Sequence, residues 1–308
     1  MSAPILSDRL YNRYVPPENV EPIAALLLVH GMVEHSGRYT DFAEFLAQHG
    51  VVVQTFDQLG HGQRAAELGD LGYMGLPDPA QRILDYTRVQ YDALAYDYPD
   101  LPKFILGHSM GSFVTRALLP SLTEGQNEQL AGAILMGTSD ANPLAGVFLP
   151  ITRALNVIAP QQDSALLDGL LRRVTNLPFW RERDKNHLNW LNTDHEQIQR
   201  AIDDPLMMFH FSYNGFYALM ELIARATPAD WAQGVRRDLP MLWVSGQDDN
   251  VGQMGKALPR IVKRLREQAF SDVEYKQYMG MRHEILFDPD HAQVYDDIIS
   301  WMKQHLTT

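Results

Sequence analysis

Five consecutive residues, Gly107-His108-Ser109-Met110-Gly111, carry the strongest chemical signal in the chain. They follow a short apolar run at 104–106 and open a helical pattern over 109–119, so the glycine-x-serine-x-glycine spacing falls on a strand-to-helix turn. On so sharp a turn a side chain at Gly107 or Gly111 would strike neighbouring backbone, and the serine is held out at the helix N-terminus. Composition alone gives such a pattern to about one chain in ten of this size. The flanking strand and helix separate this one from a glycine-rich turn with an incidental serine. A serine hydroxyl becomes a useful nucleophile near neutral pH only beside a histidine base that a carboxylate orients. The chain has no cysteine, which removes disulfides, thiolate metal sites and cysteine nucleophiles together.

On a strand-turn-helix framework of this kind the partners are expected in the order serine, acid, histidine. Of the eleven histidines, six follow Ser109: His187, His195, His210, His283, His291 and His305. A loop at a strand end selects His283, which sits in Met279-Gly-Met-Arg-His-Glu284 after the strand-like run 273–278 and before the last helix. The acid should leave an earlier strand, and Met241-Leu-Trp-Val-Ser-Gly-Gln-Asp-Asp249 ends in two adjacent carboxylates. Asp248 and Asp249 both stand as candidates here, since either could instead cap the turn. Acyl transfer also needs two donors for the oxyanion. The backbone N–H of Met110 supplies one, and the N–H of Met32, turned inward by His30-Gly31, supplies the other. No H-E-x-x-H spacing surrounds His30, so no metal is expected, and nothing in this set calls for a cofactor.

These residues need a sheet to hold them. Residues 23–29, 51–56, 104–106, 131–136 and 241–244 read as buried strands. Residues 79–96, 109–119, 256–265 and 290–302 read as helices between and after them. The alternation predicts a mostly parallel sheet covered by helices on both faces, with its site at the carboxyl ends of the strands. From Asn142 to Trp231 no strand pattern appears. That stretch reads as several helices separated by Pro150, Pro160, Pro178, Pro205 and Pro228, rich in large apolar residues. The expected division is a discontinuous α/β core, residues 1–141 and 232–308, with a helical cap over residues 142–231.

With 308 residues, 45% of them hydrophobic, the chain can bury a large core. Its 26 Lys and Arg against 38 Asp and Glu give a net charge of −12, which disfavours nucleic acid and anionic bilayers. The first fourteen residues have no apolar stretch fit for a signal peptide, and the longest early apolar run falls far short of a membrane span. A cytoplasmic location is the resulting expectation.

The chain resembles the α/β-hydrolases, and within them the monoacylglycerol lipase and lysophospholipase branch. His30-Gly-Met-Val-Glu-His-Ser-Gly-Arg-Tyr39 is similar to the branch's H-G-x-x-E-H-S-G-R-Y, and Asp57-Gln-Leu-Gly-His-Gly62 to its D-x-x-G-H-G. Further likeness lies at Gly107–Gly111, Asp204-Pro205-Leu206, Gly246-x-x-Asp249 and Arg282-His283-Glu284, and extends over nearly the whole chain from Tyr11. The opening residues are too few for the family's complete opening hairpin. The resemblance implies that Asp249 is the acid, with Asp248 the fallback, and that Glu34 and Arg38 flank the oxyanion loop at the polar end of a substrate pocket. A loop salt bridge without substrate contact is the other reading of that pair.

The activity implied is ester hydrolysis through Ser109, His283 and Asp249, on a monoacylglycerol- or lysophospholipid-like lipid. The apolar cap would receive the acyl chain and touch membrane surfaces transiently. Hydrolysis of small esters or thioesters would use the same residues, as would a cap-bearing peptidase. A non-catalytic ligand-binding protein on this fold is the alternative of another class.

Overall fold

The computed structural model describes residues 11–141, 143–182 and 187–306. Residues 1–10, on which the question of a complete opening hairpin falls, and the first residue of the expected cap, Asn142, lie outside them. The strands are β1 (Asn12–Tyr14), β2 (Ala24–Val29), β3 (Val51–Thr55), β4 (Lys103–His108), β5 (Leu130–Met136), β6 (Met241–Gly246) and β7 (Val273–Tyr278). The core helices up to β5 are α1 (Thr40–Gln48), α2 (Gly62–Leu68), α3 (Pro79–Asp97), α4 (Met110–Leu118) and α5 (Glu124–Gln129). Between β5 and β6 come α6 (Pro143–Ile158), α7 (Ala165–Thr175), α8 (His195–Asp203) and α9 (Tyr213–Ala226). Two helices follow, α10 (Ala257–Glu267) after β6 and α11 (His291–Gln304) after β7.

The seven strands form one sheet in the order β1-β3-β2-β4-β5-β6-β7. Every pairing is parallel except β1 against β3. The order reverses between β2 and β4, and their carboxyl ends open the crevice in which open parallel sheets hold ligands. All six residues of β2 are buried. Ala25, Leu27 and Val29 face the core shared with α3 and α4, while Ala24, Leu26 and Leu28 face the core shared with α1 and α11. Burial on both faces is why β2 reads as an unbroken apolar run, and each leucine there contributes roughly 1.5–3 kcal/mol. β1 is a three-residue edge strand, Asn-Arg-Tyr, with no apolar pattern to announce it.

One detail of the 142–231 stretch differs from the sequence reading. Pro150 lies inside α6 and does not end it. The missing N–H and ring clash, worth about 3 kcal/mol in a helix interior, are outweighed by packing of α6 along α9. In α9, Phe216, Ala218, Leu219, Leu222 and Ala226 belong to the same buried cluster as the sheet. That helix is anchored in the main core while α6 and α7 lie further out. Among the described residues no helix is long and apolar enough to cross a membrane.

Candidate active site

The turn between β4 and α4 holds Ser109 at φ 53° and ψ −119°, a left-handed conformation that costs about 1–3 kcal/mol. A Cβ on Gly107 would overlap the Gly111 carbonyl, and one on Gly111 would overlap the carbonyls of Val29 and His30. β4 and α4 therefore approach β2 as closely as backbone permits, and the serine is fixed at the crest. The Ser109 N–H donates to Met136 O at 2.9 Å, which ties the crest to β5.

Three side chains from three different strand ends meet there. His283 Nε2 lies 2.8 Å from Ser109 Oγ, and His283 Nδ1 lies 3.1 Å from both Asp249 oxygens. A carboxylate only accepts, so the imidazole carries its proton on Nδ1, leaving Nε2 to accept from the serine hydroxyl. Asp249 is fully buried and also accepts from Ser245 Oγ at 3.0 Å and from Val251 N at 2.8 Å. Burial pushes its carboxyl up, but His283 and these hydrogen bonds overcome that and hold it below the ordinary carboxylate value. For His283 burial works downward and Asp249 upward, and the balance raises the imidazole above its ordinary value. Asp248 is turned away: its backbone N–H donates to Met281 O at 3.0 Å, and its carboxylate makes no hydrogen bond among the described residues.

The backbone N–H groups of Met32 and Met110 have no hydrogen-bond partner among the described residues. Both residues line the same cavity as the serine. The Met32 loop follows β2 and is locked from behind. His30 Nδ1 donates to Gly31 O at 2.8 Å while its Nε2 accepts from Gln58 N at 2.9 Å. His61 Nε2 accepts from Val33 N at 3.2 Å, and burial, its largest influence, pushes that imidazole down to about 3. Both rings are neutral loop supports.

Glu34 and Arg38 stand behind this loop and are not part of the cavity wall. Glu34 accepts from the Gly31 N–H, from Tyr39 OH at 2.8 Å and from His108 Nδ1 at 3.1 Å. Arg38 donates to Glu34 Oε2 at 2.8 Å and to both oxygens of Glu284, at 2.8 and 3.1 Å, with its guanidinium over the Phe287 ring. Of the two readings of this pair, the loop salt bridge is the one these contacts favour, because both side chains are consumed by partners in one buried network. The network joins the loop after β2, the turn after β4 through His108, and the loop of His283 through Glu284. Burial pushes the Glu34 carboxyl up, and His108 and Arg38 reverse this and hold it well below the ordinary range.

Tyr39, His108, Glu284 and Trp190 are the site residues that sequence reasoning gave no role. Trp190 packs on the His283 ring at 4.9 Å between centroids. The segment around it also holds the histidine loop, since Glu284 N donates to Leu191 O at 2.8 Å and Arg282 donates to Asn189 O at 2.7 Å. A second tie to the inserted helices is His35 Nε2 with Asp204 Oδ2 at 2.8 Å. Glu284 had a visible signal beside His283, and His108 sat inside the serine motif. Trp190 had none, as its approach depends on how the insertion folds.

A cavity of about 870 Å³ opens at Ser109. Phe148, Leu167, Leu171, Phe216 and Leu219 are among its apolar lining residues, and Asn250, Gln253, Lys256 and Arg260 among its polar ones. No described residue lining it is Asp or Glu. The one cluster of described residues with metal-ligand spacing, Asp272, Glu274 and His305, lies at the opposite end of β7.

A parallel sheet reversing at β2 and β4, with an elbow serine hydrogen-bonded to a carboxylate-oriented histidine, defines a serine hydrolase of the α/β-hydrolase fold. Residues 20–290 match the hydrolase family described as serine aminopeptidase, S33, and the chain belongs to that family. It is similar to a monoacylglycerol lipase of Mycolicibacterium smegmatis, 26% identical over 96% of this chain and 93% of that one. It is also similar to the monoglyceride lipase of Mus musculus, 30% identical over 89% of this chain and 79% of the relative. Among solved structures, a thermostable carboxyl esterase from Bacillus coagulans in complex with glycerol superimposes with a TM-score of 0.86. It is 28% identical, covering 96% of this chain and 94% of that one. The protein is an enzyme, a serine hydrolase of the ester-cleaving kind.

Proposed function

We propose that the enzyme hydrolyses carboxylic esters of monoacylglycerol or lysophospholipid type, with Ser109 as nucleophile, His283 as base and Asp249 as orienting acid. Ser109 Oγ attacks the ester carbonyl as its proton passes to His283 Nε2. The oxyanion is received by the N–H groups of Met32 and Met110, each worth about 3–4 kcal/mol of transition-state stabilisation. The tetrahedral intermediate collapses to an acyl-enzyme as His283 returns the proton to the leaving alcohol. Water, deprotonated by the same imidazole, then attacks the acyl carbon and releases the acid and Ser109.

The observation that carries the substrate class is the cavity at Ser109: large, lined mostly by apolar residues, and free of carboxylates among its described lining residues. An acyl chain fits the apolar lining. An aminopeptidase, the activity in the family's description, must hold a substrate ammonium, and no lining carboxylate is there to pair with it. The relatives named as monoacylglycerol lipases favour the same choice. In this reading residues 142–231 act as a cap over the site. Its outer face exposes Ile151, Val157, Ile158, Leu166 and Trp180, which suit transient contact of a cytoplasmic enzyme with a lipid surface.

The test is a turnover profile of monoacylglycerols, lysophospholipids and p-nitrophenyl esters of increasing acyl length, with aminoacyl p-nitroanilides alongside. The proposal expects turnover to rise with chain length, and Ser109→Ala to abolish it. Faster cleavage of the anilides would replace it with the peptidase reading. Flotation with neutral-lipid vesicles tests the membrane contact separately.

A further inference from the structure

We propose that the alcohol part of the substrate carries a phosphate, held in the cavity by Lys256 and Arg260. The inference rests on the ester-hydrolase reading and names the head group that reading leaves open.

The charge of the cavity wall is opposite to that of the chain. The chain carries −12 overall, yet its described lining residues include Lys256 and Arg260 and no Asp or Glu. Both cations line the cavity at the start of α10, on the connection that follows Asp249. An ester seated at Ser109 with its acyl chain on the apolar lining residues would lay its alcohol along the polar ones.

Neither cation is explained by the stability of its own helix. Lys256 caps α10 and Arg260 sits in its first turn, where the helix dipole already concentrates positive potential. A cation there is unfavourable by a few tenths to about 1 kcal/mol, and an anion is favoured. The Lys256 ammonium has no ion pair or hydrogen bond among the described residues. Arg260 contacts Gln253 Oε1 and approaches Asp140 Oδ2 at 3.7 Å, beyond direct hydrogen-bond reach. Asp140 is instead held by Arg264 and by the Ala141 N–H. The Asn250 amide is taken by Thr175 O at 2.8 Å and Gln253 lies between Arg260 and Ser139 Oγ, so the two exposed cations and the positive end of α10 make the anion subsite beside the reacting ester. A phosphate monoester or diester, strongly accepting and multiply charged, matches it better than a neutral glycerol.

The experiment compares esters of one short acyl chain, kept monomeric so that micelle charge plays no part. The alcohols are glycerol, glycerophosphate, glycerophosphoglycerol and glycerophosphocholine. The native enzyme is expected to favour the two anionic esters over the glycerol ester by about tenfold or more in kcat/KM. The preference should shrink as salt is added. In Lys256→Glu/Arg260→Glu the ratio of anionic to neutral kcat/KM should fall at least tenfold, chiefly through KM, and in Lys256→Gln/Arg260→Gln by less. Equal or better use of the glycerol ester by the native enzyme, or a ratio indifferent to both variants, overturns the phosphate subsite and leaves the ester-hydrolase reading intact. Failure to cleave any of the four would overturn that underlying reading, and the subsite with it.

Discussion

Arg38 offers the sharpest perturbation of the framework behind the site. Its side chain is only 10% exposed and bridges two carboxylates, those of Glu34 and Glu284, which are 4% and 5% exposed. Arg38→Met leaves both acids buried without their shared cation, a loss in the range of about 3–5 kcal/mol for breaking a buried pair. The cation–π contact with Phe287 adds roughly 1 kcal/mol. Urea unfolding followed by tryptophan fluorescence measures the sum. The deficit should have a definite pH dependence. The Glu34 carboxyl, lowered in the folded protein, contributes stability that is complete above its unfolded pKa and is lost as pH falls through the folded value. Part of that contribution comes from Arg38, so native and variant should differ most near neutrality and converge in acid. Because the network connects the Gly31 loop to the His283 loop, turnover should also fall. A displacement on the order of 1 Å costs about a hundredfold. Adding Glu284→Gln to Arg38→Met removes one stranded carboxylate and should restore at least about 1 kcal/mol, a positive coupling between contacting residues. The reasoning fails if Arg38→Met costs under about 1 kcal/mol, the value of an exposed pair, with turnover within twofold of native.

Other consequences are simpler to check. Asp249→Asn should lower kcat by about four orders of magnitude through the wrong imidazole tautomer, while Asp248→Asn stays within severalfold of native. Steady-state kinetics of the pair decides this, and a collapse confined to Asp248→Asn would reverse the assignment. The neutral form of His283 is the base, and its pKa lies above the ordinary histidine value of 6.5. Activity should therefore be lost as pH falls through a midpoint above 6.5, read from kcat/KM between about pH 5 and 9. The residual activity of Asp249→Asn should show that midpoint moved down.

The parts of the fold legible in the sequence are those buried on two sides. β2 to β6 stand out as apolar runs because helices cover both faces of the sheet, and α3, α4, α10 and α11 through their one-sided apolar spacing. β1 and the short helices α1, α2 and α5 carry too little pattern. Pro150 misled because a local penalty was set against tertiary packing that the sequence does not display. Within the site, Ser109 and His283 were readable from motif and strand-end position. Asp249 was not separable from Asp248 by periodicity, since the choice rests on which carboxylate turns toward His283. The Arg38–Glu284 pair lies 246 residues apart in sequence, and a contact of that range leaves no local trace. For the same reason the sequence leaves Glu34 and Arg38 open between the polar end of a pocket and a loop salt bridge, and the ion pairs with Glu284 favour the second.

The central claim is that Ser109 is the nucleophile, activated by His283 and Asp249. It is tested most directly by treating the full chain with a fluorophosphonate probe and mapping the adduct by peptide mass spectrometry. One stoichiometric label on Ser109 is predicted, slowed strongly in Asp249→Asn and absent in Ser109→Ala. In the last variant ester turnover should fall by at least about three orders of magnitude. A label on any other residue, or ordinary turnover in Ser109→Ala, would contradict it.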